Sequence, residues 1–285
     1  MLQRIARIAA IAVLAAGAFA AMPALADEPP PAAPAPAADV PIDSSGFYFT
    51  PRFWYITVTT AQSSYLGATT NEAQMPMYGG TLTWAPAGWG GTALSVTGLF
   101  GTGTGKFYER AQFASHLDGD RDIQRLDVEA LVQWRVGDAG GTFHTGARYV
   151  NFDSHAKGAD QFFGTPFDFK DNVSLYLGEM GWQGKSAIDE KGTFFGGITM
   201  GFGYRIGDSD GICCGLAATK NTKNALVGSF DLNAGMSYAF SPSAIFSFRY
   251  RMFVLSETIK EKGDNTGLEL GIVHGPELNF TWKVN

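Results

Sequence analysis

Along most of the chain after residue 45, polar and apolar residues alternate with a period of two, the spacing of a strand with one wet and one apolar face. In 122–136 the even positions Leu126, Val128, Ala130, Val132, Trp134 and Val136 are apolar, and the odd positions Arg125, Asp127, Glu129, Gln133 and Arg135 are polar. Segment 194–206 sets Phe194, Ile198, Met200, Phe202 and Tyr204 against Thr199, Arg205 and glycines. Segment 226–238 opposes Phe230, Leu232 and Met236 to Ser229, Asp231 and Asn233. Segment 245–254 opposes Phe246, Phe248, Tyr250 and Met252 to Ser247, Arg249 and Arg251. In 268–284, Leu270, Ile272, Leu278, Phe280 and Trp282 stand against Glu269, Glu277, Asn279 and Lys283. Weaker versions at 46–59, 75–85, 92–102, 141–152 and 171–184 bring the expected number of strands to ten. Eight and twelve are the neighbouring even counts, and 103–121 has room for another hairpin.

A soluble antiparallel sheet alternates too. Two regularities favour a membrane. The connections near 85–91, 137–141, 185–192 and 239–243 are short and rich in Gly, Pro, Ser or Asp, whereas those near 60–74, 103–121, 153–170, 207–223 and 256–266 are longer and polar. Short turns on one side and long loops on the other mark a barrel across an outer membrane. The strands entering the short turns, and the final strand, also end on an aromatic residue of the apolar face: Trp84, Trp134, Trp182, Tyr238 and Trp282. Such a ring forms a girdle at a membrane–water interface.

The N-terminus adds an export signal. Arg4 and Arg7 precede an apolar run, and Ala24-Leu25-Ala26 fits a small-x-small cleavage site, which makes 1–26 a signal peptide. Residues 27–45 are rich in Pro and Ala and read as an extended periplasmic linker, either a spacer or a docking arm. The barrel then occupies 46–285. On these features the chain resembles a Gram-negative outer-membrane β-barrel protein. Its last strand, with Gly275, Leu278 and Phe280, is similar to the family's assembly signal, although it ends Trp282-Lys283-Val284-Asn285 and not on an aromatic residue. The resemblance implies an all-β, antiparallel transmembrane barrel in the outer membrane, with short periplasmic turns and long extracellular loops. Its implied partners are outer-membrane lipid, lipopolysaccharide and the barrel-assembly machinery. His274 and Pro276 fall on the lipid face of this strand, where a bulge is expected to accommodate them.

The polar faces point into the lumen. They carry Arg52, Arg125, Arg135, Arg148, Arg205, Arg249, Arg251 and Lys283, set against Asp127, Glu129, Glu179, Asp231, Glu269 and Glu277. Arg249 and Arg251 lie on one strand whose neighbours bear Asp231 and Glu269. Such a set serves either as an ion-pair network that fills the barrel or as a charged constriction that selects small solutes. Composition agrees with the two-faced reading: mean hydropathy is near zero although 45% of residues are hydrophobic, as expected when opposite faces average out. A formal charge of −6 excludes a nucleic-acid binder, which needs a basic stripe.

Motifs for catalysis or cofactors are few. Asp118, Asp120 and Asp122 offer D-x-D-x-D with Glu129 at the twelfth place, but Ile123 stands where a calcium loop needs Gly, so a solvated acidic loop is the alternative. Gly101–Lys106 has the glycines of a phosphate loop without its spacing or its helix. The ten-stranded outer-membrane barrels include the omptin proteases, whose loops present Asp-x-Asp and Asp-x-His pairs to activate water. Asp118/Asp120 and Asp153/His155 are similar to those pairs, the second set falling one loop too early. Ser154 beside His155 is the corresponding candidate for a lipid-acyl hydrolase. Cys213 and Cys214 are adjacent, so free thiols, a strained vicinal bridge and metal binding stay open. The expectation is a non-enzymatic barrel with neither cofactor nor metal, either structural or a small-solute channel; a surface enzyme and a loop-mediated adhesin are the alternatives.

Overall fold

The computed structural model describes residues 45–64, 67–110, 116–136, 141–161, 163–213, 221–257 and 269–284. The signal sequence, nearly all of the linker, the turn 137–140, Cys214 and the tips of several loops lie outside the described residues.

Ten strands form: β1 Gly46–Ser64, β2 Gly67–Ala85, β3 Thr92–Arg110, β4 His116–Val136, β5 Gly141–Asp160, β6 Pro166–Ala187, β7 Gly192–Cys213, β8 Asn221–Ser241, β9 Ala244–Glu257 and β10 Glu269–Val284. Each pairs antiparallel with its sequence neighbours, and β1 pairs with β10, so the sheet is a closed barrel. Closure leaves no open strand edge to face lipid. Among the described residues there is no helix.

The strands are longer than the alternation suggests. β3 and β4 stay paired up to Arg110 and His116, β5 and β6 up to Ala159 and Pro166, and β7 and β8 up to Ser209 and Asn221. The polar stretches 60–74, 103–121, 153–170 and 207–223, expected as loops, are therefore largely ladder. Beyond the apolar wall the outer face carries polar residues and the inner face a mixture of polar and apolar ones, so the ladder continues after the two-residue pattern has faded.

On the outer wall apolar side chains stand open, with Leu82 63%, Phe202 62% and Tyr78 60% exposed. On β7 the outward apolar residues run from Phe194 to Ile206. At about 3.3 Å per residue and a tilt near 40°, that run spans roughly 30 Å, close to the apolar height of an outer-membrane barrel. All five girdle residues sit on the outer wall at the short-turn end, extended by Phe47 against Trp84, Phe49 against Trp282, Phe143 against Trp134 and Phe240 against Tyr238. A second aromatic row lies nearer the loops. Tyr149, Tyr176 and Tyr204 stand side by side on β5, β6 and β7, with Tyr55 and Tyr250 further round.

The turns explain why one end is compact. Between β2 and β3, Gly88, Gly90 and Gly91 take positive φ (84°, 58° and 82°), which side chains with a Cβ resist. Between β6 and β7, the carboxylate of Asp189 accepts the N–H groups of Lys191 (2.8 Å) and Gly192 (2.5 Å). Those two bonds hold the Asp189 carboxyl below the usual carboxylate range.

The bulge expected at His274 and Pro276 does not form. The register between β9 and β10 runs unbroken through Met252↔His274 and Tyr250↔Pro276; the irregularity lies instead at Ala239/Ser241 of β8. His274 is accommodated by a partner: its Nδ1 is 2.6 Å from the Tyr250 hydroxyl. Pro276, which has no N–H, coincides with a lapse in the ladder to β1, where Tyr55 and Ile56 have no paired residue on β10. The Gly275 carbonyl is taken by the indole N–H of Trp54 at 3.2 Å.

Candidate functional site

Strand parity fixes what enters the lumen. Even residues of β1 and β5 point inward, as do odd residues of the other strands, and the described inward side chains meet in stacked layers. Near the turns lies a layer of hydrogen-bonded hydroxyl and amide groups. Thr50 and Thr281 share a hydrogen bond (2.8 Å), Thr81 and Thr97 another (2.8 Å), and Gln133 donates to Ser95 (2.8 Å).

Next comes an ion cluster on β1, β9 and β10. Glu277, fully buried, accepts from Arg52 Nε and Nη2 (both 2.6 Å) and from Arg249 Nε and Nη2 (both 2.9 Å). Arg52 also donates to Thr81 and Thr97 (3.2 and 3.4 Å). A second cluster links β4, β5, β6, β8 and β9. Asp127 receives Arg125 Nη2 (2.7 Å) and both Nε and Nη2 of Arg148 (2.8 and 2.6 Å). Asp231 receives Arg251 Nε and Nη2 (2.9 and 2.5 Å) and Arg148 Nη1 (3.2 Å), while Glu179 touches Arg148 only at 3.5 Å. Bidentate forks of this kind are the strong form of the interaction.

Aromatic rings cover the guanidiniums from above. Arg125 lies 4.8–5.6 Å from the rings of Phe152, Trp54 and Phe253, Arg148 lies 4.4 Å from Phe253, and Arg251 lies 4.9 Å from Trp54. Arg125 forms one ion pair, and its Nε and Nη1 donate to no described group. The cation–π contacts offset part of that desolvation.

Toward the loops the lumen turns apolar. Trp54, Ile56, Met75, Met77, Leu99, Ile123, Val150, Leu175, Val227, Phe253 and Val273 pack together inside the barrel. A further inward cluster of Leu117, Ala156 and Phe167, with Phe107 and Phe169, lies in the extension above. The alternation did not reveal this filling, because an apolar residue facing a dry lumen looks like one facing lipid. The usable signal was apolar residues on both faces at 53–58 and 75–78.

Most of the charged set lies in these two buried clusters. Glu129, Arg205 and Lys283 face inward and are half-buried, and Lys283 lies 6.0 Å from the Tyr48 ring. Arg135 is exposed at the turn end of β4, and Glu269 begins β10 at a position whose side chain lies outside the described residues. No group of three or more metal-ligating side chains occurs among the described residues.

The candidate catalytic pairs are not in the mouth. Asp118, Asp120 and Asp122 occupy alternate outward positions of β4, and Asp153 and His155 outward positions of β5, with Asp122 paired to His155. His155 Nε2 lies 2.7 Å from Asp168 Oδ1, a contact that holds the Asp168 carboxyl below its usual range, and Asp120 binds Lys106 at 2.5 Å. Ser154 faces the opposite way, inward, and accepts from Arg121 Nε (2.6 Å).

A closed antiparallel barrel with an apolar outer wall, an aromatic girdle and a charged interior is a transmembrane β-barrel of the outer-membrane type. Solved structures of that type share its fold. The outer membrane protease OmpT from Escherichia coli aligns with a TM-score of 0.60 at 8% identity, over 84% of this chain and 97% of that one. The translocator domain of the autotransporter NalP from Neisseria meningitidis aligns at 0.50 and 12% identity, over 85% and 89%. No protein-family model and no curated protein matches the sequence.

Proposed function

We propose that the protein is exported by cleavage after Ala26, resides in the outer membrane, and serves there as a closed structural barrel that holds elongated hairpins above the surface, not as a standing pore. The observation that carries this reading is the dryness of the lumen. Trp54, Arg125 and Glu277, from different layers, are each 0% exposed. A water-filled channel would leave its lining open to solvent, as in barrels of 16–18 strands. Here ten strands leave a bore that two ion-pair clusters and an apolar layer can fill.

No hydrolase activity is part of this reading. A general base and its partners must share one cleft with the substrate, and the outward positions of Asp118, Asp120, Asp153 and His155 face away from the lumen. Planar-bilayer recording tests the reading directly. Purified, folded protein is expected to add no current above the lipid background; stable unitary steps would overturn it. The second reading, an adhesin, draws on the height of the paired extensions beyond the apolar wall. Deleting the paired extension at 104–120 would then abolish cell-surface binding while leaving the barrel folded.

A further inference from the structure

The apolar outer wall is not equally tall around the barrel. Paired residues do not stand at one level, because closing a sheet of tilted strands staggers its register. Followed pair by pair through outward residues, from Phe47 by way of Trp84, Thr145, Met200 and Val254, the ladder returns to β1 at Thr59, twelve residues nearer the loops. A horizontal ring therefore drops back by about one residue per strand from the paired partner. Counted in this way, the girdle residues lie close to one level at the turn end.

The upper edge of the wall does not. The horizontal ring through Asn151 also holds the outward residues Thr57, Gln74, Thr102, Gln124 and Ser174, so it is polar from β1 to β6. On β7 to β10 the same ring continues as Tyr204, Leu226, Val254 and Ile272. Just below its polar half stand Tyr55, Tyr78, Tyr149 and Tyr176, side chains that favour a membrane–water interface. From Phe47 to Tyr55, Trp84 to Tyr78, Phe143 to Tyr149 and Trp182 to Tyr176, the wall is roughly 15–20 Å tall. From Phe194 to Ile206, Tyr238 to Leu226 and Trp282 to Ile272, it is roughly 25–30 Å tall.

Tilting the barrel does not reconcile the two arcs. A tilt raises both edges of one side together, whereas here the lower edge stays level and the upper edge steps. A hydrocarbon core of about 25 Å suits the arc β7–β10. Along β1–β6 the same core would cover the amides of Gln74, Gln124 and Asn151 and reach the outward carboxylates of Asp122 and Asp153. Several polar groups in hydrocarbon cost more than a modest thinning of the lipid, whose penalty per ångström is small.

We propose that the barrel deforms the membrane unequally: the outer leaflet thins along β1–β6 and keeps its full depth along β7–β10. The kind of lipid that fits the first arc has short or disordered acyl chains. This inference rests on the membrane-spanning part of the reading above and is independent of whether the lumen conducts.

Nitroxide labels read the step. In full-length protein carrying Cys213→Ser and Cys214→Ser, single labels are placed at Gln124→Cys and Asn151→Cys on one arc, and at Leu226→Cys and Ile272→Cys on the other. Gel mobility reports folding into dioleoylphosphatidylcholine vesicles, and accessibility to oxygen against a water-soluble nickel chelate reports depth. Although the four sites share one level of the barrel, the first two are expected to lie roughly 5–10 Å closer to water than the last two. Equal depths in folded, inserted protein would overturn the proposal, whereas failure to insert would overturn the membrane reading itself. Labels at Val136→Cys and Phe240→Cys, near the turn end of β4 and β8, test for tilt. Similar depths there support thinning; a Val136 label much deeper than the Phe240 label would mean tilt and overturn it. In vesicles with twelve-carbon chains the contrast between the arcs should shrink, and an unchanged contrast would show that lipid does not set it. Depths at Leu226 and Ile272 that change on diluting the protein in lipid would instead mark a second copy covering that arc, which also overturns the proposal.

Discussion

Replacing Glu277 by Ala asks whether the lumen is dry. Glu277 is the carboxylate shared by Arg52 and Arg249, through contacts of 2.6 Å and 2.9 Å, and all three side chains are at most 6% exposed. Removing one partner of a buried ion pair leaves charge without compensation and costs about 3–5 kcal/mol. In this cluster one deletion strands two guanidiniums, so the upper part of that range applies. If water filled the lumen, the pairs would behave as surface pairs and the loss would be about 0–1 kcal/mol. The two cases differ several-fold. Urea unfolding in lipid vesicles, followed by gel mobility and tryptophan fluorescence and extrapolated to zero denaturant, reads the difference. A companion variant replaces the whole cluster with Arg52→Met, Glu277→Leu and Arg249→Met. Apolar replacement of a buried ionic cluster is often neutral or stabilising, so this triple variant is expected to be more stable than Glu277→Ala alone. A loss below about 1 kcal/mol for Glu277→Ala would refute the dry-lumen argument.

Further expectations concern other parts of the barrel. Arg148 bonds Asp127, Asp231 and Glu179, whereas Arg125 bonds only Asp127, which keeps Arg148; Arg148→Met should therefore cost about 3–5 kcal/mol and Arg125→Met less than half of that, by the same unfolding assay. Because folding depresses the Asp189 carboxyl, its stabilisation is present above the unfolded value of about 3.9 and is lost as pH falls through the lower folded value. The stability gap between wild type and Asp189→Ala should accordingly close on acidification. Single-tryptophan variants retaining Trp84, Trp134, Trp182 or Trp282 should be quenched by brominated lipid, whereas one retaining Trp54 should not, because Trp54 lies inside the wall.

Much of the fold is legible in the amino-acid order because a strand between lipid and a polar interior must alternate. The ten strands, the short-turn side and the lower girdle from Trp84 to Trp282 all follow from that constraint. Alternation reports contrast between faces, and it fails where the contrast disappears. Trp54, Ile56 and Val58 face the lumen beside outward Phe53 and Tyr55, so both faces of β1 read alike. The extensions at 103–121 and 153–170 fail for the opposite reason, since both faces are wet or mixed. Aspartates such as Asp118 and Asp153 could be placed near the rim by sequence, but not inside or outside it, because that choice depends on a register set from strand to strand. His274 was a visible exception on the lipid face; its explanation, the hydroxyl of Tyr250, stands on a strand remote in sequence.

The ring of pairings has one member unlike the rest. Nine of its ten ladders join consecutive strands, and only β1–β10 joins the ends of the chain. That ladder lapses at Tyr55 and Ile56 and is bridged there by one indole hydrogen bond. In kinetic terms, every other ladder can form from a local hairpin, whereas closing the circle requires two segments more than two hundred residues apart to meet. The last step of assembly therefore falls on a ladder whose pairing is interrupted. Phe47 pairs with Val284, so the two ends of the barrel domain also lie side by side. The chain could be joined there and opened at another turn without changing any strand's neighbours, which makes the order of synthesis, and not the architecture, the property fixed by where β1 begins.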